Sequence, residues 1–156
     1  MPISSVGRAS SRLAGVTLIE VMVVVAIIGL IAAVSYPSAA AGIESARLVS
    51  ATNSVATFLN SAVNRVERRQ QPIELIVSSK ENRLSMYSNQ PGFTRELVMP
   101  DGISLQGPEE DRHLILMPGA TVPAIGIELA NRRGARRVVR LDPMTGFPRV
   151  ESVPTK

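Results

Sequence analysis

The hydrophobic pattern of this chain changes character twice. From Val21 to Val34 (VMVVVAIIGLIAAV) no side chain is polar, which suits a helix that is apolar on every side. From Ala39 to Gln71 there is no proline, and Leu48, Ala51, Val55, Phe58, Ala62 and Val66 recur at steps of three and four while Asn53, Asn60, Asn64, Glu67 and Arg68 fall elsewhere. That spacing predicts an amphipathic helix with one buried face, the stripe from Leu48 to Val66 packing on a sheet. Pro37 and Gly42 are placed to bend or loosen the helix, and Gln70-Gln71-Pro72 ends it. Beyond Pro72 the pattern shortens to candidate strands at 73–77, 83–87, 95–99, 103–105, 114–117, 125–129, 136–141 and 148–150. Ser-Lys-Glu-Asn, Gln-Pro-Gly, Pro-Asp-Gly, Pro-Gly and Asp-Pro-Met-Thr-Gly stand between them as turn signals. One long helix followed by a run of antiparallel strands predicts an α+β domain with the apolar stripe of the helix lying on the sheet.

Length sharpens this picture. Val16 to Val34, as a helix, is about 28 Å long, which matches the hydrocarbon thickness of a bilayer. Continued to Gln71, the helix would reach about 80 Å, too long for one compact domain of a 156-residue chain. Its first half must find partners elsewhere. With 45% hydrophobic and 19% charged residues the chain is too apolar to be disordered. It has no cysteine, which removes disulfides and Cys-based metal sites and leaves the redox compartment unread. The formal net charge is +4; without the first fifteen residues, which carry Arg8 and Arg12, it is +2, a mild bias and no nucleic-acid footprint in itself.

The first fifteen residues, MPISSVGRASSRLAG, are polar and basic and end in Gly15 just before the apolar run. An ordinary secretory signal peptide would be cut after that run, where Ala39-Ala40-Ala41 could serve. Glu20 argues against it, because a carboxylate at the centre of a membrane helix costs about 2.5 to 3.5 kcal/mol and is retained for a reason. The competing reading is that Glu20 snorkels to the headgroups without a partner. Gly29, Ala26, Ala32 and Ala33 offer small surfaces for helix contact and are equally ordinary membrane residues.

The run Gly15-Val16-Thr17-Leu18-Ile19-Glu20-Val21-Met22-Val23-Val24 resembles the processing site of type IV prepilins and pseudopilins. The resemblance implies that prepilin peptidase cuts after Gly15 and methylates Val16, where the family usually has phenylalanine, and leaves Glu20 fifth in the mature chain. Val16 would then carry a free or methylated amine, which the Glu20 carboxylate can neutralise in a low-dielectric interior, on its own chain or on a neighbour. Pro37, twenty-second in that mature chain, matches a helix-kinking proline common in the family. Further on, the stretch from Ser45-Ala46-Arg47-Leu48 to Gln71-Pro72-Ile73-Glu74-Leu75 is similar to minor pseudopilin H of the type II secretion system. Pro100-Asp101-Gly102-Ile103 and Arg136-Arg137-Val138-Val139-Arg140-Leu141-Asp142-Pro143-Met144-Thr145-Gly146 look like that family's mid-domain turn and closing strand pair. Minor pilins of surface pili and of DNA uptake share the domain type.

The expected organisation is a cleaved leader (1–15), a transmembrane assembly helix (16–38), an amphipathic helix (39–71) and a periplasmic β domain (72–156). Arg8 and Arg12 would hold the N-terminus in the cytoplasm, giving a single-pass bacterial inner-membrane protein that later joins a pseudopilus. Its implied partners are prepilin peptidase, other major and minor pseudopilins and inner-membrane lipid. No cofactor or metal is implied, and no catalytic constellation is seen. His113 is the sole histidine and reads as a surface or core residue at the edge of its strand; Glu109-Glu110-Asp111 reads as a solvated turn before a calcium site. Arg132, Arg133, Arg136, Arg137 and Arg140 flank a turn at Asn131 to Ala135. Alternation puts Arg136 and Arg140 on one strand face and Arg137 on the other, so the cluster either guards a hairpin edge or engages phosphates. The second option supports an alternative function as a DNA-binding minor pilin of a type IV pilus or natural-transformation system, with aromatic stacking residues missing nearby.

Overall fold

Thr17 starts the helix. In the computed structural model, which describes residues 17–89 and 92–153, the backbone N–H of Glu20 donates to the Thr17 hydroxyl (3.3 Å) and carbonyl (3.1 Å). Thr-x-x-Glu ahead of an apolar run is the N-terminal half of a capping box. Helix α1 (Leu18–Arg69) then runs for 52 residues, through Pro37 and Gly42 without a break. At position 37 the missing N–H leaves one carbonyl a turn earlier without its helical donor. Arg68 and Arg69 complement the negative end of the helix. Gln70 closes it in the left-handed region (φ 51°), its side-chain amide donating to the Glu67 carbonyl at 2.8 Å.

The chain divides into two compact units, Met1–Ala39 and Ala40–Lys156. In the first, the described apolar side chains are uncovered: Leu18 is 81% exposed and Val34 71%. The segment is long and apolar enough to cross a membrane, and among the described residues none of its apolar window is buried. Tyr36, also exposed, stands just past the apolar run, where an amphipathic ring suits a bilayer interface.

The second unit holds the core. Leu48, Ala51, Val55, Phe58, Ala62 and Val66 are all buried, as the stripe predicts, and so are Leu59 and Thr52, which it does not contain. The Thr52 hydroxyl donates to the Leu48 carbonyl at 2.6 Å, so a polar side chain is satisfied within the buried face. Eight antiparallel strands follow: β1 (Ile73–Ser78), β2 (Arg83–Ser88), β3 (Thr94–Val98), β4 (Ile103–Gln106), β5 (Arg112–Leu116), β6 (Gly126–Asn131), β7 (Arg136–Leu141) and β8 (Pro148–Val153). All eight expected strands exist, with the largest shifts at β5, β6 and β8. β5 begins at Arg112, because pairing with β1 continues to Val77↔Arg112, and β8 extends to Val153, because it pairs with the whole of β7.

The strands form two four-stranded sheets, β3-β2-β1-β5 and β4-β6-β7-β8, where the sequence suggests one. The chain first switches sheets at the turn Pro100-Asp101-Gly102. There Gly102 adopts φ +87°, a conformation that favours glycine, and the Ile103 N–H bonds the Pro100 carbonyl. Asn82, itself left-handed (φ 52°), joins the sheets: its side-chain amide donates to the Ile103 carbonyl and its oxygen accepts from the Leu105 N–H, both at 2.8 Å. Ile73, Leu75, Val77, Leu84 and Met86 from one sheet and Leu105, Ile127, Leu129, Val139 and Leu141 from the other join the helix stripe in a shared core.

Candidate functional site

Of the residues assigned to processing and assembly, Gly15 and Val16 lie outside the described residues. Glu20 lies in the first turn of α1, exposed, at the third helical position counted from the Thr17 cap. Thr17 is the residue that the sequence reading passes over, although the Thr-x-x-Glu spacing signals a cap. An acidic residue in the first turn also suits the positive end of the helix. Glu20 therefore has two physical roles, helix start and charge partner, which different substitutions separate. Pro37 lies within the helical span, at the end of the first unit.

The arginines are brought together on the β6–β7 hairpin. Asn131, buried at the base, accepts from the N–H groups of Arg133 (3.1 Å) and Ala135 (2.9 Å) with its side-chain oxygen, which holds Arg132-Arg133-Gly134 as a tight tip. The register places Arg136 opposite Ala130 and Arg140 opposite Gly126 on the outer face, with Arg137 opposite Leu129 on the other. Outer-face arginines are not free. Arg136 pairs with Glu128 at 3.2 Å and Arg140 with Glu151 at 3.3 Å. Arg132, Arg133 and Arg137 make no ion pair among the described residues.

His113 lies within β5, exposed, with Nδ1 2.8 Å from a Glu74 carboxylate oxygen. Glu109, Glu110 and Asp111 are exposed before β5. Among the described residues no three histidines or carboxylates gather where they could hold a metal.

The turn Asp142–Phe147, which closes the β7–β8 pair, is more tightly built than its sequence suggests. The Asp142 carboxylate accepts from the N–H groups of Met144 (2.9 Å) and Thr145 (3.2 Å) and meets Arg149 at 3.0 Å. Gly146 (φ +69°) presses on the helix so closely that a Cβ there would lie 3.0 Å from a Val63 methyl. The two backbone donors, with Arg149 adding a smaller share, hold the Asp142 carboxyl below its ordinary value of 3.8. A depressed carboxylate stabilises the fold above its unfolded pKa, and that stability is lost as pH falls through the folded value. The thermal midpoint of a 40–156 fragment is accordingly expected to fall as pH drops below about 4. Asp142→Asn should flatten that part of the pH profile, and an unchanged profile would count against the turn as its source.

Residues 11–36 match the prokaryotic N-terminal methylation motif. No curated protein and no solved structure matches the chain. The matched segment takes in Gly15, Val16, Glu20 and the whole apolar run. The motif implies processing by prepilin peptidase and pilin-like assembly, and the apolar helix is consistent with membrane anchoring. A long apolar N-terminal helix followed by antiparallel sheets is an α+β, pilin-like layout.

Proposed function

We propose that this type IV pilin-like chain is a minor pseudopilin, a structural subunit of a type II secretion pseudopilus that assembles through its N-terminal helix to support protein export. The observation that carries the assembly reading is the first turn of α1: a carboxylate at Glu20 heads a membrane-length helix whose apolar side chains none of the described residues covers. Such a helix needs lipid before assembly and like helices after it. The paired charge fixes the axial register between neighbours. The secretion assignment is supported by the resemblance to minor pseudopilin H, whose quoted segments include the sheet-switching turn at Pro100–Gly102 and the closing turn after Leu141. In this reading residues 1–15 are the leader, and the second unit faces the periplasm.

Mass spectrometry of protein extracted from membranes should return an N-terminal peptide beginning at Val16. One beginning after Ala41 would mean an ordinary signal peptide and would end the pilin-like assignment. The DNA-capture alternative rests on Arg132, Arg133 and Arg137, since Arg136 and Arg140 are neutralised by Glu128 and Glu151. A salt-dependent gel shift separates it from a purely structural role.

A further inference from the structure

The β6–β7 hairpin tip lies at the end of the second unit where the chain enters it. A Cβ built on Gly102 would stand 3.4 Å from Arg132 Nε and 3.6 Å from Glu44 Oε2, so hairpin tip and helix residue 44 bracket the same turn. Glu44 comes only ten residues after Val34, the last residue of the apolar run. Ten helical residues rise about 15 Å, the largest height above the hydrocarbon that a helical connection allows at any angle between the units. Headgroups occupy about 6 Å of it. The remaining gap of about 9 Å is close to the Debye length of about 8 Å in physiological salt. Long arginine side chains shorten it further.

The tip itself carries only positive charge. Arg132 and Arg133 are exposed on the tip, Arg137 is half-buried behind them and Arg47 stands on the helix 3.9 Å from Glu44. Of the carboxylates, Glu44 lies across the turn from Arg132 and Asp101 belongs to the turn itself. One Glu44 oxygen is buried without a hydrogen-bond partner, and Arg132 makes no ion pair among the described residues, although the two flank the same turn. Arg132 and Arg133 are thus exposed cations with no ion pair among the described residues, whereas the outer-face arginines farther along β7 are neutralised.

We propose that Arg132 and Arg133 form a headgroup contact, through which the hairpin tip of the unassembled subunit rests on the anionic surface of the bilayer that holds its own N-terminal span. Phosphate is chemistry that lipid and nucleic acid share, and the short tether selects the lipid. The contact rests on the membrane-span part of the functional reading and not on filament assembly. It holds the second unit close to the membrane until a filament withdraws the helix.

The native chain has no cysteine, so Ala135→Cys gives one labelling site on the exposed tip. The full-length variant, carrying a fluorophore there, is placed in nanodiscs containing nitroxide-headgroup lipid. Quenching should be strong in discs rich in phosphatidylglycerol, weak in pure phosphatidylcholine discs, and lost in high salt. Each arginine near a charged surface is worth about fivefold in occupancy, so Arg132→Ala with Arg133→Ala should weaken contact by about tenfold or more. The double lysine variant should retain it. Equal quenching in both lipids, or quenching indifferent to the alanine pair, would overturn the proposal. So would an arginine-dependent response to short duplex DNA in phosphatidylcholine discs with none to anionic lipid, which would assign the tip to nucleic acid. A chain that leaves the discs empty would overturn the span, and this contact with it, a failure visible before any quenching is read.

Discussion

Glu20→Val is expected to leave membrane insertion and leader removal intact while abolishing recovery of the subunit in filaments. Insertion depends on the apolar run, which valine extends, and removal of the proposed leader would depend on Gly15. What the substitution takes away is the carboxylate that would neutralise the amine of Val16 on an adjacent subunit. Deleting one member of a buried ion pair strands the other, at about 3 to 5 kcal/mol. That corresponds to upward of about a hundredfold in incorporation. Co-purification with partner pseudopilins and a secretion assay would measure it. Thr17→Ala is the companion variant, because it removes the helix cap, worth about 1 kcal/mol, and leaves the charge in place. If the two variants lose assembly equally, Glu20 acts as a helix-start residue, and the charge-pair reading fails.

Leu59→Ala should destabilise the second unit by about 2 to 5 kcal/mol. Leu59 is fully buried among the helix stripe and the strands, so truncation removes apolar surface and leaves a void between closely packed neighbours. A 40–156 fragment should lose roughly 10 °C or more in Tm by circular dichroism. Ser54→Ala, on the exposed side of the same helix, should stay within about 0.5 kcal/mol. Comparable losses from the two would mean that the helix is not packed on the sheets as described.

The sequence makes the helix, its buried stripe and all eight strands legible because each rests on a local signal: a period of 3.6, or short apolar runs between turn residues. Leu59 escapes because the stripe is wider than one residue per turn. Between Val55 and Ala62 both Phe58 and Leu59 face inward, since the helix meets strands from two sheets. The division into two sheets is not legible, since it depends on which strands pair, and β4 pairs with β6 across an intervening β5. Asn82 reads as an ordinary turn residue; its partners, Ile103 and Leu105, are more than twenty positions away. Among the site residues, the chemical type and spacing of Gly15, Val16 and Glu20 are fully local, which is why the first 36 residues say more about function than the remaining 120. The arginine hairpin is visible as composition, but its neutralised half depends on Glu128 and Glu151 in neighbouring strands.

Asn82 has an effect on how this chain meets copies of itself. β4 is an outer strand, and the outward amide of Leu105 and carbonyl of Ile103 are the groups through which a foreign strand would extend the sheet. The Asn82 side chain, with one donor and one acceptor, occupies both as a stub of backbone would. The other three borders are guarded by charge or proline: Arg95 and Glu96 on β3, Arg112 and His113 on β5, Pro148 and Arg149 on β8. A subunit crowded among its own kind is thereby protected from amyloid-like stacking of its sheets. In the proposed reading, association between copies is left to the helix.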